Sequence, residues 1–214
     1  MLEERETHVR LIMEARATDA DGHECFLSRV HNQILVNAPE LLQSAKIDLF
    51  EDRIALVRSE GTQQVHRMEL TSNGIIRSIG YLPIGATAPP RRFPWLDLSQ
   101  PVFDFMKQSC RILWALDYQK LSFEFRLTDL TGSIVEAIDN NGPYLAVANE
   151  SRAWLDEIPF PSSRSAGESL PRTSDLLHWT RMIVDELIFR FRSPSGQFAR
   201  VPSDRFSQFT SVWR

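Results

Sequence analysis

Residues 97–138, DLSQPVFDFMKQSCRILWALDYQKLSFEFRLTDLTGSIVEAI, decide the fold. Val102, Phe103, Met106, Cys110, Leu113 and Trp114 recur at three- and four-residue spacing, with Asp104, Lys107, Gln108 and Arg111 opposite them. That is a helix with one buried face. Phe105, Ile112 and Leu116 widen the apolar arc, so the helix is expected to be covered on more than one side. Ser99 is the expected N-cap, its hydroxyl accepting from an unpartnered first-turn N–H. Pro101 then falls near the first helical positions, where a missing N–H costs nothing.

After Asp117, Tyr118, Gln119 and Lys120 the period changes to two. Leu121, Phe123, Phe125 and Leu127 alternate with Ser122, Glu124, Arg126 and Thr128, which reads as a strand with one face on a core. Burying four such side chains is worth about 6–12 kcal/mol before entropy. Residues 129–132 read as a turn, with Gly132 taking positive φ. Residues 133–138 are then expected back as the second arm of a hairpin.

Upstream, residues 83–94 (PIGATAPPRRFP) form a breaker-rich connection. The chain is expected to be one α+β domain, with a sub-boundary at 83–98 between halves 1–82 and 99–214. Residues 46–82 read as an antiparallel meander in which Asn73-Gly74 predicts a tight type I′ hairpin, since both residues tolerate positive φ. Residues 24–36 predict a helix with Phe26, Leu27, Val30, Ile34 and Leu35 on one side, and Pro39 opens a short extra turn through Leu42. Over 3–18, helix and strand periods compete. Val9, Leu11, Met13, Ala15 and Ala17 alternate cleanly with polar residues and only Ile12 breaks the pattern, which favours a strand from about His8.

Downstream, residues 144–147 predict a strand and 150–171 an irregular segment. A second long helix is expected from a Thr173 or Ser174 cap through about Arg192, burying Leu176, Leu177, Ile183, Val184, Leu187, Ile188 and Phe191. The expected fold class is therefore α+β: an antiparallel sheet, meander plus hairpin, packed in two layers against two long amphipathic helices.

The 214 residues are 43% hydrophobic and 24% charged, an ordinary globular composition. The net charge of −4 offers no general reason to bind nucleic acid or an anionic membrane. Of 24 basic residues only Lys46, Lys107 and Lys120 are lysine, a bias that suggests a GC-rich bacterial genome. Cys25 and Cys110 are too few for a disulfide scaffold, and Cys110 falls on the apolar helix face. The charged N-terminus lacks an apolar signal core, and no apolar run approaches the ~20 residues of a membrane span. The expected location is the cytoplasm. Leu2 equally suits an internal position behind an added Met1.

Catalytic motifs are lacking. There is no phosphate-cradling glycine loop and no nucleophile elbow. His23, Cys25 and His31 are metal-ligand types, but their spacing matches no standard zinc module, and His8, His66 or a carboxylate would have to complete the set. Asp19 and Asp21, and Asp48, Glu51 and Asp52, coincide with turn signals, which account for them structurally. No metal, catalytic or cofactor site is therefore expected. His66, His178 and Asp175 are candidates only for a site assembled from distant residues.

The expected function is a non-enzymatic interaction or sensing module that self-associates or binds a protein partner. Its contact residues would be Arg91, Arg92, Phe93 and Trp95 in the proline-rich segment, and Phe198, Arg200, Arg205, Phe206, Phe209 and Trp213 in a tail too aromatic to be disordered. The alternative is nucleic-acid binding through a local arginine and aromatic surface that also draws on Arg164 and Arg172. The helix–strand–hairpin order of 99–138 resembles accessory domains that follow DNA-binding modules in some bacterial proteins. That likeness bears only on this alternative.

Overall fold

In the computed structural model, the described residues are 9–18, 25–38, 45–60, 63–81, 91–94, 96–118, 120–130, 133–139, 142–148, 152–159, 171–189 and 191–192. The chain runs β1 (Arg10–Ala17), α1 (Leu27–Asn37), β2 (Lys46–Leu49), β3 (Arg53–Glu60), β4 (Gln63–Thr71), β5 (Ile75–Tyr81) and β6 (Arg91–Pro94). It continues as α2 (Leu96–Ala115), β7 (Leu121–Thr128), β8 (Ser133–Asp139), β9 (Gly142–Ala148), β10 (Arg152–Pro159), α3 (Thr173–Ile188) and β11 (Phe191–Arg192). The fold is α+β, built on an antiparallel sheet.

The larger sheet has seven strands in the order β10-β7-β1-β5-β4-β3-β2. β2 to β5 are the meander. β1 takes the strand period and lies inside the sheet, antiparallel to both β5 and β7. Its Leu11, Met13, Ala15 and Ala17 are buried. The register sets Met13 between Ser78 and Phe125, and Ala15 between Ile76 and Phe123, so these side chains share one face. That face joins α1, α2 and α3 residues in a single hydrophobic core. Phe105 of α2 meets Phe123 and Phe125 of β7 edge-on at 6.2 and 6.3 Å, fixing helix to sheet through paired aromatic contacts.

Several expectations are corrected. β8 does not return on β7; β7 pairs with β1 and β10, and the hairpin is β8–β9 in a second sheet of order β11-β9-β8-β6. Asp129, at φ 62°, takes the left-handed conformation that turns the chain away; Gly132 lies outside the described residues. Part of the irregular segment after 150 is β10, whose register shifts between Leu155 and Ile158. The proline-rich connection ends as β6, parallel to β8. β6 is the last strand of the second sheet among the described residues, a place that tolerates a proline such as Pro94.

α2 starts at Leu96, so Ser99 is not its cap and Pro101 lies inside it. Pro101 removes one helical bond there. α3 is preceded by Arg172, not capped by Thr173 or Ser174, and the Arg172 N–H donates to Asp175 Oδ2 at 3.2 Å. α3 ends at Ile188. Phe191 belongs instead to β11, where it is buried and pairs with Ala148 of β9. In α1, Val30 and Ile34 are buried, whereas Phe26 and Leu35, expected on the same side, are exposed. The turn expected over 39–42 lies outside the described residues.

The β4–β5 hairpin is present, but only Gly74 of Asn73-Gly74 has positive φ, at 78°. A type I′ turn needs both. Ser72, Asn73 and Gly74 instead form a three-residue connection, closed by Thr71 Oγ1, which accepts from Ile75 N–H at 3.0 Å.

α2 ends in a Schellman motif: Tyr118 N–H donates to Leu113 O at 3.1 Å and Asp117 N–H to Trp114 O at 3.0 Å. Asp117 fills the left-handed position that glycine usually takes, at φ 72°. The Tyr118 ring then packs against Gly74 and Ala17. Cys25 N–H donates to Ser72 O at 2.8 Å and ties the entry of α1 to the same corner.

Candidate functional site

The contact residues expected from sequence lie mostly outside the described residues: Trp95, Phe198, Arg200, Arg205, Phe206, Phe209 and Trp213. Of Arg91, Arg92 and Phe93 only the backbone is described. It forms β6, in register with Ser133, Ile134 and Val135 of β8.

Two described surfaces stand out. The first is the sheet face opposite the helices, where polar positions of adjacent strands form rows. One row runs Asp48, Ala55, Glu69, Arg77, Glu14, Glu124 across six strands. Its carboxylates are answered by arginines in the same or flanking rows. Glu14 accepts from Arg77 at 2.6 Å and from Arg16 at 2.6 Å. Arg67 bonds Glu69 at 2.5 Å, Arg53 lies 3.7 Å from Glu69, and Arg126 pairs with Glu124. Arg10 meets Asp129 at 3.4 Å. Burial works to raise the Glu14 pKa, but the two arginines outweigh it and hold the carboxyl below its ordinary range. Every arginine named has a carboxylate at hand, with Glu14 and Glu69 each shared between two.

The second surface is apolar. Among the described residues, the exposed large hydrophobic side chains are Phe26 (86%), Leu35 and Val36 (75%) at α1, Ile47, Leu49 (70%) and Phe50 at β2, and Leu145, Val147 and Met182 elsewhere. Six of these nine therefore lie on α1, β2 and their ends. β2 is the last strand of the larger sheet, and α1 packs on β3 beside it. Ile47 and Leu49 stand opposite the buried Leu56 and Ile54, so they continue the core-side face past its covered part.

Of the catalytic candidates, His66 lies on β4, whereas Asp175 and the exposed His178 share α3. His66 Nε2 is 2.8 Å from Ser78 Oγ, a base beside a hydroxyl. Ser78 is fully buried, so no substrate reaches it. Burial, with Arg58 beside it, lowers the His66 pKa; the pair is a satisfied polar contact within a sheet. Asp175 is occupied at the start of α3. Asp48 pairs with Lys46 at 2.9 Å and Asp52 with Arg53 at 3.3 Å. Cys25 is buried and His23 lies outside the described residues. No group of three or more His, Cys, Asp or Glu among the described residues is arranged to hold a metal ion. Burial pushes the Cys110 thiol far up, leaving it unreactive. No described helix is long and apolar enough to cross a membrane.

The chain matches no family model, no curated protein and no solved structure. Sequence reading missed the α1–β2 border. Phe26 falls in helical register with Val30 and Ile34, which places it on their side, and the Ile47-Asp48-Leu49-Phe50 run reads only as the start of the meander, so neither signals an uncovered surface.

Proposed function

We propose that this chain is a non-enzymatic interaction module that assembles with protein through the α1–β2 border. The observation that carries the reading is that six of the nine exposed large hydrophobic side chains among the described residues, Phe26, Leu35, Val36, Ile47, Leu49 and Phe50, lie on α1, on the last strand β2 and at their ends. Large apolar side chains gathered at a rim favour contact with another apolar surface. The nucleic-acid alternative draws less support. The arginines Arg10, Arg16, Arg53, Arg67, Arg77 and Arg126 of the open face lie against carboxylates, and phosphate binding would first have to break those pairs.

A photo-activated cross-linking amino acid in place of Val36 or Leu49, with Glu186 as the exposed control on α3, tests the reading in the protein's own cells. Adducts to a protein chain, its own or another, are expected from Val36 and Leu49 and not from Glu186. Absence of adducts from both border positions overturns it.

A further inference from the structure

We infer that β2 is the docking edge for a second copy of this chain, joined antiparallel across a two-fold axis at Ile47. This rests on the α1–β2 border being a contact surface and names what occupies it. The backbone decides which groups are offered. Phe50 N–H donates to Arg53 O at 2.9 Å and closes the β2–β3 hairpin. In an antiparallel pair the inward-bonding residues alternate. Asp48 and Lys46, opposite Ala55 and Val57, therefore bond to β3, while Ala45, Ile47 and Leu49 turn their N–H and C=O groups outward. No described strand lies on that side. An unpaired row of this kind is a template for another strand.

The side chains select the occupant. With the two-fold at Ile47, Ile47 pairs with its own copy and Leu49 with Ala45, so every outward backbone group named above finds its complement. Lys46 then stands opposite Asp48 of the other copy, and Asp48 opposite Lys46. Within one chain these two side chains already lie 2.9 Å apart on the open face. In the dimer the same charges alternate across the axis. On the core-side face Ile47 would meet its own copy and Leu49 the other copy's Ala45, and both Ile47 and Leu49 are exposed in the single chain. Moving the register by one residue sets Lys46 against Leu49 and Ile47 against Asp48, which loses both the charge match and the apolar match. An isologous contact must be self-complementary, and β2 is so in the Ile47-centred register.

The test is sedimentation velocity on the full chain from about 5 µM to about 500 µM, a span suited to a small edge interface. Wild type should show a monomer–dimer equilibrium. Ile47→Pro removes an N–H that points away from β3, so the monomer's ladder is kept and its circular dichroism should be unchanged. Dimerisation should weaken at least tenfold. Lys46→Asp sets carboxylates against each other across the axis and should weaken it similarly; adding Asp48→Lys should restore it. A wild-type chain that is monomeric throughout overturns the inference. So does a dimer indifferent to Ile47→Pro and to Lys46→Asp. If the border cross-links to a different protein while the chain stays monomeric, the wider reading stands and this inference falls.

Discussion

A β-carbon on Gly74 would stand 2.8 Å from Cζ of Tyr118 and 2.9 Å from Cβ of Ala17. The β4–β5 connection, the exit of α2 and the end of β1 close on one another at a point with room only for hydrogen. Gly74 also holds φ at 78°. Gly74→Ala therefore meets both a steric and a conformational penalty and should cost about 2–4 kcal/mol. Asn73→Ala, exposed and at negative φ, should cost under about 1 kcal/mol. Urea unfolding of both variants checks the pair; equal midpoints would refute the account of this corner.

Asp117 is the opposite case, a non-glycine residue where glycine is favoured. Its carboxylate meets Arg29 at 2.6 Å, but both side chains are well exposed and the contact is screened. Asp117→Gly should hold or raise the melting temperature, and Asp117→Val should lower it by several degrees. A marked loss with glycine would mean that the ion pair to α1 dominates the backbone term.

His66 sets a pH window. In the unfolded chain it takes up a proton near pH 6.5, and in the folded chain only at lower pH, because it is buried and Arg58 is near. The folded state thus binds fewer protons between these values. Stability falls as pH falls through 6.5 and levels off below the lowered folded value. His66→Gln should flatten this part of the profile, read as urea midpoints between pH 7 and pH 5. Glu14 acts lower: its depressed folded pKa gives stability that is present above its ordinary range and lost as pH falls through the folded value. Glu14→Gln should remove that second decline while leaving the first.

Ser109 of α2 is fully buried, and among the described residues its Oγ has no hydrogen-bond partner. Ser109→Ala removes an unsatisfied hydroxyl and favours the helix, so stability should rise by about 0.5–1.5 kcal/mol. Destabilisation would show that the hydroxyl serves a contact in solution.

What was legible in the sequence was what is periodic. α2 and β7 each hold one period over many residues, and the five alternating apolar positions from Val9 to Ala17 outweighed the helix-forming Glu and Arg among them. What failed depended on partners far along the chain. A turn at Asp129 looks the same whether the next strand folds back or joins another sheet. β10 is hidden by its register shift and by its neighbours' prolines and serines. Phe191 falls in helical register with Leu187 and Ile188, so the end of α3 was invisible. The charge lattice was equally hidden, since Glu14 and Arg77 are 63 residues apart and meet only through the β1–β5 register. The apolar border required knowing which apolar residues the core leaves uncovered.

The inner position of β1 also has a consequence in time. Its partner β5 ends at Tyr81, but its other partner, β7, ends only at Thr128. At ribosomal speeds, roughly 5–20 residues per second, the interval between them lasts a few seconds. For that interval a strand that is interior in the finished protein has an open side, with Leu11, Met13 and Ala15 beside it awaiting Phe123 and Phe125. Nascent chains should be most prone to mispairing in that window, and a truncation ending between 82 and 120 should aggregate where the full chain does not.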